Sequence, residues 1–197
     1  MQAEYNVSPV QIHLHKIIPT GAGLGGGSAD AAFTISMIND LFSLNLPGNT
    51  LMKLAARLGM DCPYFILNEP AIGTGKGDFL QPISISLKGY YLVLVMPDLH
   101  ISTAEAYSGV KPAVKTNRVS DIINKPVAEW ENLLINDFEK SVFEKYPEIR
   151  SIKDKLYQKG AVYASMSGSG SAVYGLFTFK PELSGEFSGN FVWEEEL

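Results

Sequence analysis

Cysteine is nearly absent from this sequence, which has one, Cys62, among 197 residues. A single cysteine cannot form a disulfide within the chain, and this excludes a small secreted fold held together by disulfides. The first residues, MQAEYNVSPV, also lack the basic start and apolar core of a signal peptide. Together these absences predict a cytoplasmic protein.

Long hydrophobic runs and clustered positive charge are lacking as well. The longest apolar run, residues 90–97, is far too short to span a bilayer. The net charge is −5, whereas a nucleic-acid-binding surface needs clustered Lys and Arg. We therefore expect neither a membrane nor a nucleic acid as a partner. With 46% hydrophobic and 19% charged residues, the composition is that of an ordinary globular protein.

Glycine, in contrast, is concentrated in residues 19–32, which read PTGAGLGGGSADAA. The apolar residues that follow, Ala31, Ile35, Ile38 and Phe42, recur at helical spacing and predict an amphipathic helix with Ser28 as its N-cap. The start of a helix offers unpaired N–H groups and the positive end of its dipole. A flexible glycine loop aims further N–H groups at the same point, so the segment predicts an anion site, with phosphate as the obvious anion.

Two common phosphate loops do not fit this segment. A Walker A loop needs a lysine directly after its glycines, and none is present. Residues 21–26 match G-x-G-x-x-G, but the acidic residue that a dinucleotide-binding fold requires further on would be Asp40, inside the predicted helix. A plain glycine turn that caps a helix is disfavoured, since turns seldom need so many glycines.

The segment resembles the phosphate-binding motif P-x-x-x-G-L-G-S-S-A-A of the galactokinase, homoserine kinase, mevalonate kinase and phosphomevalonate kinase superfamily. The triple glycine before Ser28 is closer to one branch, the 4-diphosphocytidyl-2-C-methyl-D-erythritol kinases. Residues 59–65 resemble the family's G-x-D-x-P-x-F motif, residues 167–171 resemble its G-[ST]-G loop, and residues 136–139, NDFE, are also similar to the family. The resemblance covers most of the chain, from about residue 12 to residue 179.

The resemblance implies an α+β fold in two lobes. Residues 1–85 would form an incomplete ATP-binding lobe similar to domain 2 of ribosomal protein S5, and residues 86–197 a ferredoxin-like lobe. Similar kinases transfer the γ-phosphoryl group of ATP to the 2-hydroxyl of 4-diphosphocytidyl-2-C-methyl-D-erythritol, a cytidine diphosphate sugar-alcohol of non-mevalonate isoprenoid synthesis. Mg²⁺ would offset the phosphate charge.

The resemblance also implies roles for single residues. Asp61 would be the catalytic carboxylate, Thr103 would line the substrate cleft, and Gly168 and Gly170 would bind substrate from the G-[ST]-G loop. No residue is assigned to a metal. The expected nucleotide-binding residues are Lys16, Pro19, Thr20, Gly21, Ala22, Gly23, Leu24, Gly25, Gly26, Gly27, Ser28 and Ala29, with Lys16 beside the adenine.

Local structure alone offers simpler alternatives for these residues. Asp61 could be a turn aspartate between a helix and a strand, Lys16 a solvated charge and Thr103 an N-cap. Residues 167–171 could be a simple hairpin turn. His13 and His15 share a face of a predicted strand, but no third metal ligand is suggested nearby.

The chain departs from the family pattern in two ways. Ala29 stands where the family has a second serine. The family also begins with a segment of about 80 residues, part of a lobe, that carries a catalytic lysine and a tyrosine–histidine pair for the cytosine. We therefore expect an N-terminally truncated kinase of little activity, whose exposed strand edges could pair in a homodimer. The alternatives are a mevalonate- or homoserine-type kinase, or an inactive nucleotide-binding fragment.

The remaining patterns predict secondary structure. Strands are expected at residues 10–18, 89–96, 161–166 and 172–179, and helices at 50–58, 129–146 and from Pro147 to Gly160. Residues 110–126 predict a loop or weak helix, and the final residues, SGEFSGNFVWEEEL, favour no element.

Overall fold

The computed structural model describes residues 1–110 and 118–197. The chain forms two compact units. The first comprises Met1–Pro19 and Gly25–Ser84, and the second comprises Thr20–Leu24 and Ile85–Leu197. The short stretch Thr20–Leu24 therefore belongs to the second unit, although the residues on both sides of it belong to the first.

The first unit is mainly helical. Its helices are α1 (Gln2–Tyr5), α2 (Gly26–Leu41), α3 (Gly48–Ala56) and α4 (Cys62–Leu67). A hairpin of β1 (Ala71–Thr74) and β2 (Phe79–Pro82) follows, with Ala71 opposite Pro82. The core contains Ile35 of α2 and one face of α3, together with a residue of α4: Leu51, Leu54, Ala55 and Cys62.

Two predictions about this unit need correction. The strand predicted at residues 10–18 is wrong, because none of these residues joins a strand and most of them are exposed. The alternating pattern suits a strand, but a strand also needs a hydrogen-bonded neighbour, and β1 and β2 pair with each other. The helix predicted at residues 50–58 exists, but it starts at Gly48 and ends at Ala56, which leaves Leu58 exposed.

The second unit is built on a four-stranded sheet. Its strands are β3 (Tyr91–Met96), β4 (Tyr163–Met166), β5 (Val173–Phe177) and β6 (Phe191–Glu196), in the order β4-β5-β3-β6. Every neighbouring pair is antiparallel. This order and these directions are those of the ferredoxin-like arrangement. Turns, rather than a helix, lead from β5 to β6.

Helices complete the second unit. They are α5 (Thr103–Ser108), α6 (Val119–Ile122), α7 (Glu139–Lys145) and α8 (Pro147–Gln158), with a 3₁₀ turn at Val127–Glu129. Val93 and Val95 of β3 point to a core that includes Ile152 and Leu156 of α8. Leu92 points to the opposite face, in a second cluster around Trp130. The sheet is therefore covered on both sides.

The helix predicted at residues 129–146 is wrong over most of its length, because only Glu139–Lys145 is α-helical. Side-chain bonds accompany a non-helical path in the preceding residues. Trp130 Nε1 donates to the carbonyl oxygen of Lys125, five residues earlier, at 3.0 Å. The hydroxyl of Tyr163, in β4, donates to the carbonyl oxygen of Leu134 at 2.8 Å, and this tertiary bond joins the segment to the sheet.

Other predictions were closer to the structure. The strands predicted at 89–96, 161–166 and 172–179 are confirmed as β3, β4 and β5, and α8 begins at Pro147 as predicted. The loop or weak helix predicted at 110–126 falls partly on residues 111–117, which lie outside the described residues, and α6 occupies Val119–Ile122. Within residues 1–110 and 118–197, no helix is long and apolar enough to cross a membrane. The predicted α+β class is confirmed.

Candidate active site

The glycine-rich segment ends at the start of α2, in the first unit. Gly25 is the N-cap, in a left-handed conformation with φ 66°, and the helix begins at Gly26. The Ser28 N-cap predicted from sequence is therefore wrong, because Ser28 lies inside the first turn. The first hydrogen bond of this helix joins Ala29 N to Gly25 O at 2.9 Å. The amides of Gly26, Gly27 and Ser28 precede it and so remain available to a ligand.

Asp61 lies at the start of another helix of the same unit. It is the N-cap of α4, so the predicted connection from helix to strand is wrong: a helix follows Asp61. Its side chain makes no capping bond to this helix, and the residue is exposed. The backbone around it is held by Cys62 N, which donates to Gly59 O at 3.2 Å. The backbone at Asp61 is therefore held in place, and its exposed side chain is open to a ligand.

Lys16 lies close to the beginning of α2. Its Nζ is 2.6 Å from Asp30 Oδ2, and both side chains are about one-third exposed, at 29% and 35%. A Cβ built on Gly26 would be 3.1 Å from the same Nζ. Lys16 thus brings an ammonium group, paired with Asp30, to the helix end where the free amides lie.

The earlier part of the glycine-rich segment, Thr20–Leu24, is held within the second unit. His100 Nδ1 is 2.8 Å from the Thr20 carbonyl oxygen. Ala172 N donates to Ala22 O at 3.0 Å, and Ser167 Oγ donates to Gly23 O at 2.8 Å. The carbonyl groups of Thr20, Ala22 and Gly23 are therefore bound by residues far away in the sequence.

Gly168 and Gly170 lie beside this segment, in the turn between β4 and β5. A Cβ on Gly168 would be 3.0 Å from Gly23 O, and one on Gly23, where φ is 74°, would overlap the Ser167 carbonyl oxygen. The backbones approach so closely that only glycine fits at these positions. The structure thus brings Gly168 and Gly170 together with Ala22 and Gly23, as a tight hairpin turn that also contacts the segment.

Thr103 is the first residue of α5, and the N-cap is Ser102. The Ser102 hydroxyl accepts a hydrogen bond from Glu105 N at 3.1 Å, so the N-cap alternative proposed for Thr103 is wrong by one residue. The Thr103 side chain is exposed at this helix end. Glu105, also in α5, accepts hydrogen bonds at its Oε1 from Lys145 Nζ at 2.5 Å and from the Tyr146 hydroxyl at 2.7 Å. These two bonds, with that of Lys145 the stronger, hold the pKa of the Glu105 carboxyl below its usual value. They also join α5 to the end of α7.

Sequence reasoning assigned no role to several polar residues in this region. His100, Ser167 and Asn136 all bind backbone carbonyl groups of the glycine-rich segment or of the turn beside it. The sequence signals were the similarity of residues 136–139 and of residues 167–171 to a known family, and neither indicated what Asn136 or Ser167 contacts. Among the residues that the structure describes, no group of three or more His, Cys, Asp or Glu side chains could hold a metal ion.

Comparison with known families identifies the family to which the chain belongs. Residues 1–69 match the family described as GHMP kinases N terminal domain, and residues 117–186 match GHMP kinases C terminal. The chain belongs to the GHMP kinase family. The resemblance of its glycine-rich segment to this superfamily is thereby confirmed.

Individual relatives narrow the comparison within the GHMP kinases. A protein of Bacteroides fragilis is 49% identical over 198 residues, which cover 100% of this chain and 72% of the relative. A protein of Parabacteroides distasonis is 50% identical over 200 residues, covering 100% and 73%. Both are named 4-diphosphocytidyl-2-C-methyl-D-erythritol kinase.

Solved GHMP kinase structures have the same fold. The crystal structure of a 4-(cytidine 5'-diphospho)-2C-methyl-D-erythritol kinase matches with a TM-score of 0.69 and 33% identity, covering 82% of this chain and 59% of that one. A homoserine kinase of Cytophaga hutchinsonii matches with a TM-score of 0.59 at 15% identity, which shows the fold alone.

Proposed function

We propose that this GHMP kinase transfers the γ-phosphoryl group of ATP to the 2-hydroxyl of 4-diphosphocytidyl-2-C-methyl-D-erythritol, in non-mevalonate isoprenoid synthesis. The observation that carries the proposal is a pair of features in the first unit. The start of α2 presents free amides after a glycine-rich segment, and α4 presents the exposed carboxylate of Asp61. The relatives at 49% and 50% identity support this choice of acceptor.

The phosphates of ATP would bind at the beginning of α2. The amides of Gly26, Gly27 and Ser28 and the helix dipole favour an anion there. Phosphoryl transfer needs positioning and charge stabilisation more than covalent help from the protein. Lys16 would add a positive charge at the same helix end. The other residues proposed for the nucleotide are Pro19, Thr20, Gly21, Ala22, Gly23, Leu24, Gly25 and Ala29.

Asp61 would orient the acceptor hydroxyl and accept its proton. A carboxylate can serve as a general base only where it can reach the substrate, and the Asp61 side chain is exposed. Its position as the N-cap of α4 fixes the backbone from which it projects. Thr103, Gly168 and Gly170 would contact the acceptor in the second unit.

Mg²⁺ is the metal that a kinase of this type would use. Kinase sites commonly hold Mg²⁺ with one or two carboxylates together with phosphate oxygens, rather than with a cage of protein ligands. The oxygen donors of the first unit fit this pattern, because Ser28 lies in the first turn of α2 and Asp61 is exposed. Bound there with ATP, Mg²⁺ would neutralise phosphate charge.

The test is ATP-dependent phosphorylation of 4-diphosphocytidyl-2-C-methyl-D-erythritol by the purified chain, with mevalonate and homoserine as competing acceptors. The same assay is run on a second protein, in which the segment with which the family begins, taken from a full-length relative, is added to the N-terminus of this chain. Asp61→Asn is compared with Asp40→Asn, which removes the same charge near the opposite end of α2. In whichever of the two proteins is active, we expect phosphorylation of the cytidylyl acceptor alone, lost in Asp61→Asn and kept in Asp40→Asn.

Each other outcome has a definite meaning. Turnover of mevalonate or homoserine would replace the proposed acceptor. ATP binding without turnover in both proteins would favour a nucleotide-binding fragment. Full activity in Asp61→Asn would remove Asp61 from the mechanism. Light scattering after gel filtration, at two protein concentrations, tests the homodimer that we also propose.

A further inference from the structure

We infer that Asn136 is a positioning residue for the phosphate-binding segment: it fixes the turn between β4 and β5 in the shape that holds Ala22 and Gly23. The inference rests on the proposed function, because it concerns how ATP phosphates are held. All the contacts that carry it lie within the second unit.

The side chain of Asn136 is fully used. Its Nδ2 donates to two carbonyl oxygens, those of Met166 and Gly168, at 2.8 Å each. Its Oδ1 accepts from Phe138 N at 3.0 Å. Both amide hydrogens and the carbonyl of the side chain are thus engaged, which fixes its orientation. No shorter or charged side chain can make the same three bonds.

The two carbonyl groups that Asn136 binds flank Ser167 in the chain. Ser167 is the residue whose hydroxyl donates to Gly23 O, at 2.8 Å. On the other side of the turn, Ala172 N donates to Ala22 O at 3.0 Å. Asn136 therefore holds the backbone on both sides of the residue that binds the glycine-rich segment.

Planar peptide geometry links these contacts to phosphate binding. In a trans peptide the N–H group points opposite to the preceding C=O group. Bonds to the carbonyl oxygens of Ala22 and Gly23 therefore direct the amides of Gly23 and Leu24 away from the turn. These two amides belong to the segment that we propose binds phosphate, so the turn sets the direction in which they point.

The critical variant is Asn136→Asp, with Asn190→Asp as its matched control. The aspartate keeps the size and the bond to Phe138 N, but it places a carboxylate against two carbonyl oxygens. Asn190 also donates to two carbonyl groups of the same unit, those of Phe187 and Ser188, in a different turn. A general loss of stability would affect both variants, whereas a positioning defect would affect only Asn136→Asp.

Two measurements test whether Asn136 positions the phosphate-binding segment. Amide hydrogen exchange by NMR reports on the Ala172 N–H group, whose partner is Ala22 O. Calorimetry compares the affinities for ATP and adenosine, since only ATP carries phosphates. We expect Asn136→Asp to speed exchange at Ala172 at least tenfold and to weaken ATP about tenfold, while adenosine binding and the Asn190→Asp protein stay unchanged.

A second variant, Ser167→Ala, tests the inference even if the Asn136→Asp protein does not fold. Ser167→Ala removes the hydroxyl that binds Gly23 O, and it should weaken ATP but not adenosine. Because both residues act through one chain of contacts, the double variant should lose less affinity than the two single losses combined. Unchanged exchange at Ala172, equal losses for ATP and adenosine, or full additivity would each overturn the inference. If neither the unmodified chain nor the extended chain binds ATP, the proposed function fails, and the exchange measurement still decides whether Asn136 positions the segment.

Discussion

The ring of Phe65 occupies the space into which a side chain on Gly25 would project. A Cβ built on Gly25 would be 2.6 Å from Phe65 Cζ, well inside any normal contact distance. Gly25 also has φ 66°, in the left-handed region that favours glycine. Two independent constraints therefore require glycine at the N-cap of α2, directly before the amides proposed to bind phosphate.

We predict that Gly25→Ala destabilises the first unit and abolishes ATP binding. The left-handed backbone alone costs a residue with a Cβ about 1–2 kcal/mol, and displacement of Phe65 adds to this. The matched control is Gly48→Ala, at the start of α3, where a Cβ meets nothing within 4 Å. Urea unfolding and calorimetry with ATP measure both effects. Equal behaviour of the two variants would mean that neither the contact with Phe65 nor the left-handed backbone constrains Gly25.

The elements that were predicted correctly are marked by residues within the element itself. The glycine-rich segment and the apolar repeat behind it identified α2, although its start lies at Gly26 and not after Ser28. β3 is an uncharged apolar run, and its Val93 and Val95 are fully buried. Pro147 favours the first position of a helix, where α8 begins.

The elements that the sequence predicted poorly depend on distant partners. β6 contains Phe191 and Trp193, both largely exposed, and ends in three glutamates, so no core-facing pattern marks it. It is a strand because it pairs with β3. The carbonyl contacts of Asn136 and Ser167 likewise join residues far apart, and no local pattern specifies them.

Lys153→Met should destabilise the second unit strongly. Glu139 is only 7% exposed; its Oε2 accepts from Lys153 Nζ at 2.6 Å and its Oε1 from Met166 N at 2.8 Å. Removal of the lysine leaves a buried carboxylate without its cation, which typically costs about 3–5 kcal/mol. Urea unfolding measures the loss. In contrast, Asp154→Asn breaks only an exposed pair with Arg150, and it should cost less than about 1 kcal/mol.

The ion pair between Glu105 and Lys145 should make the second unit sensitive to acid. Hydrogen bonds from Lys145 and then Tyr146 lower the pKa of Glu105 in the folded protein. The Glu105 carboxyl binds a proton more readily in the unfolded chain than in the folded protein. The stabilisation by its ion pair is therefore present above the unfolded pKa of about 4.3 and is lost as pH falls through the folded pKa. Glu105→Gln should therefore reduce the melting temperature at pH 7, and the difference from the unmodified chain should shrink below about pH 4.

The control for this pH experiment is Glu129→Gln. Its carboxylate is 3.7 Å from Lys125, four residues earlier in the chain, on an exposed surface. The same substitution there should change the melting temperature less at pH 7, because exposed pairs contribute little. A constant difference between Glu105→Gln and the unmodified chain from pH 7 to pH 3 would show that the variant acts through packing and not through charge.

The last prediction separates two positions for the nucleotide relative to Lys16. Family resemblance suggests that Lys16 lies beside the adenine, yet its Nζ is 2.6 Å from Asp30 in the first part of α2 and close to Gly26. If this charge acts on phosphate, Lys16→Gln should weaken ATP five- to tenfold, or about 1–1.4 kcal/mol, and leave adenosine unchanged. Added salt should reduce the difference in ATP affinity between Lys16→Gln and the unmodified chain. Lys53→Gln, which removes an exposed charge from the end of α3, serves as the control and should affect neither ligand. Equal losses for ATP and adenosine in Lys16→Gln would favour contact with the adenine instead.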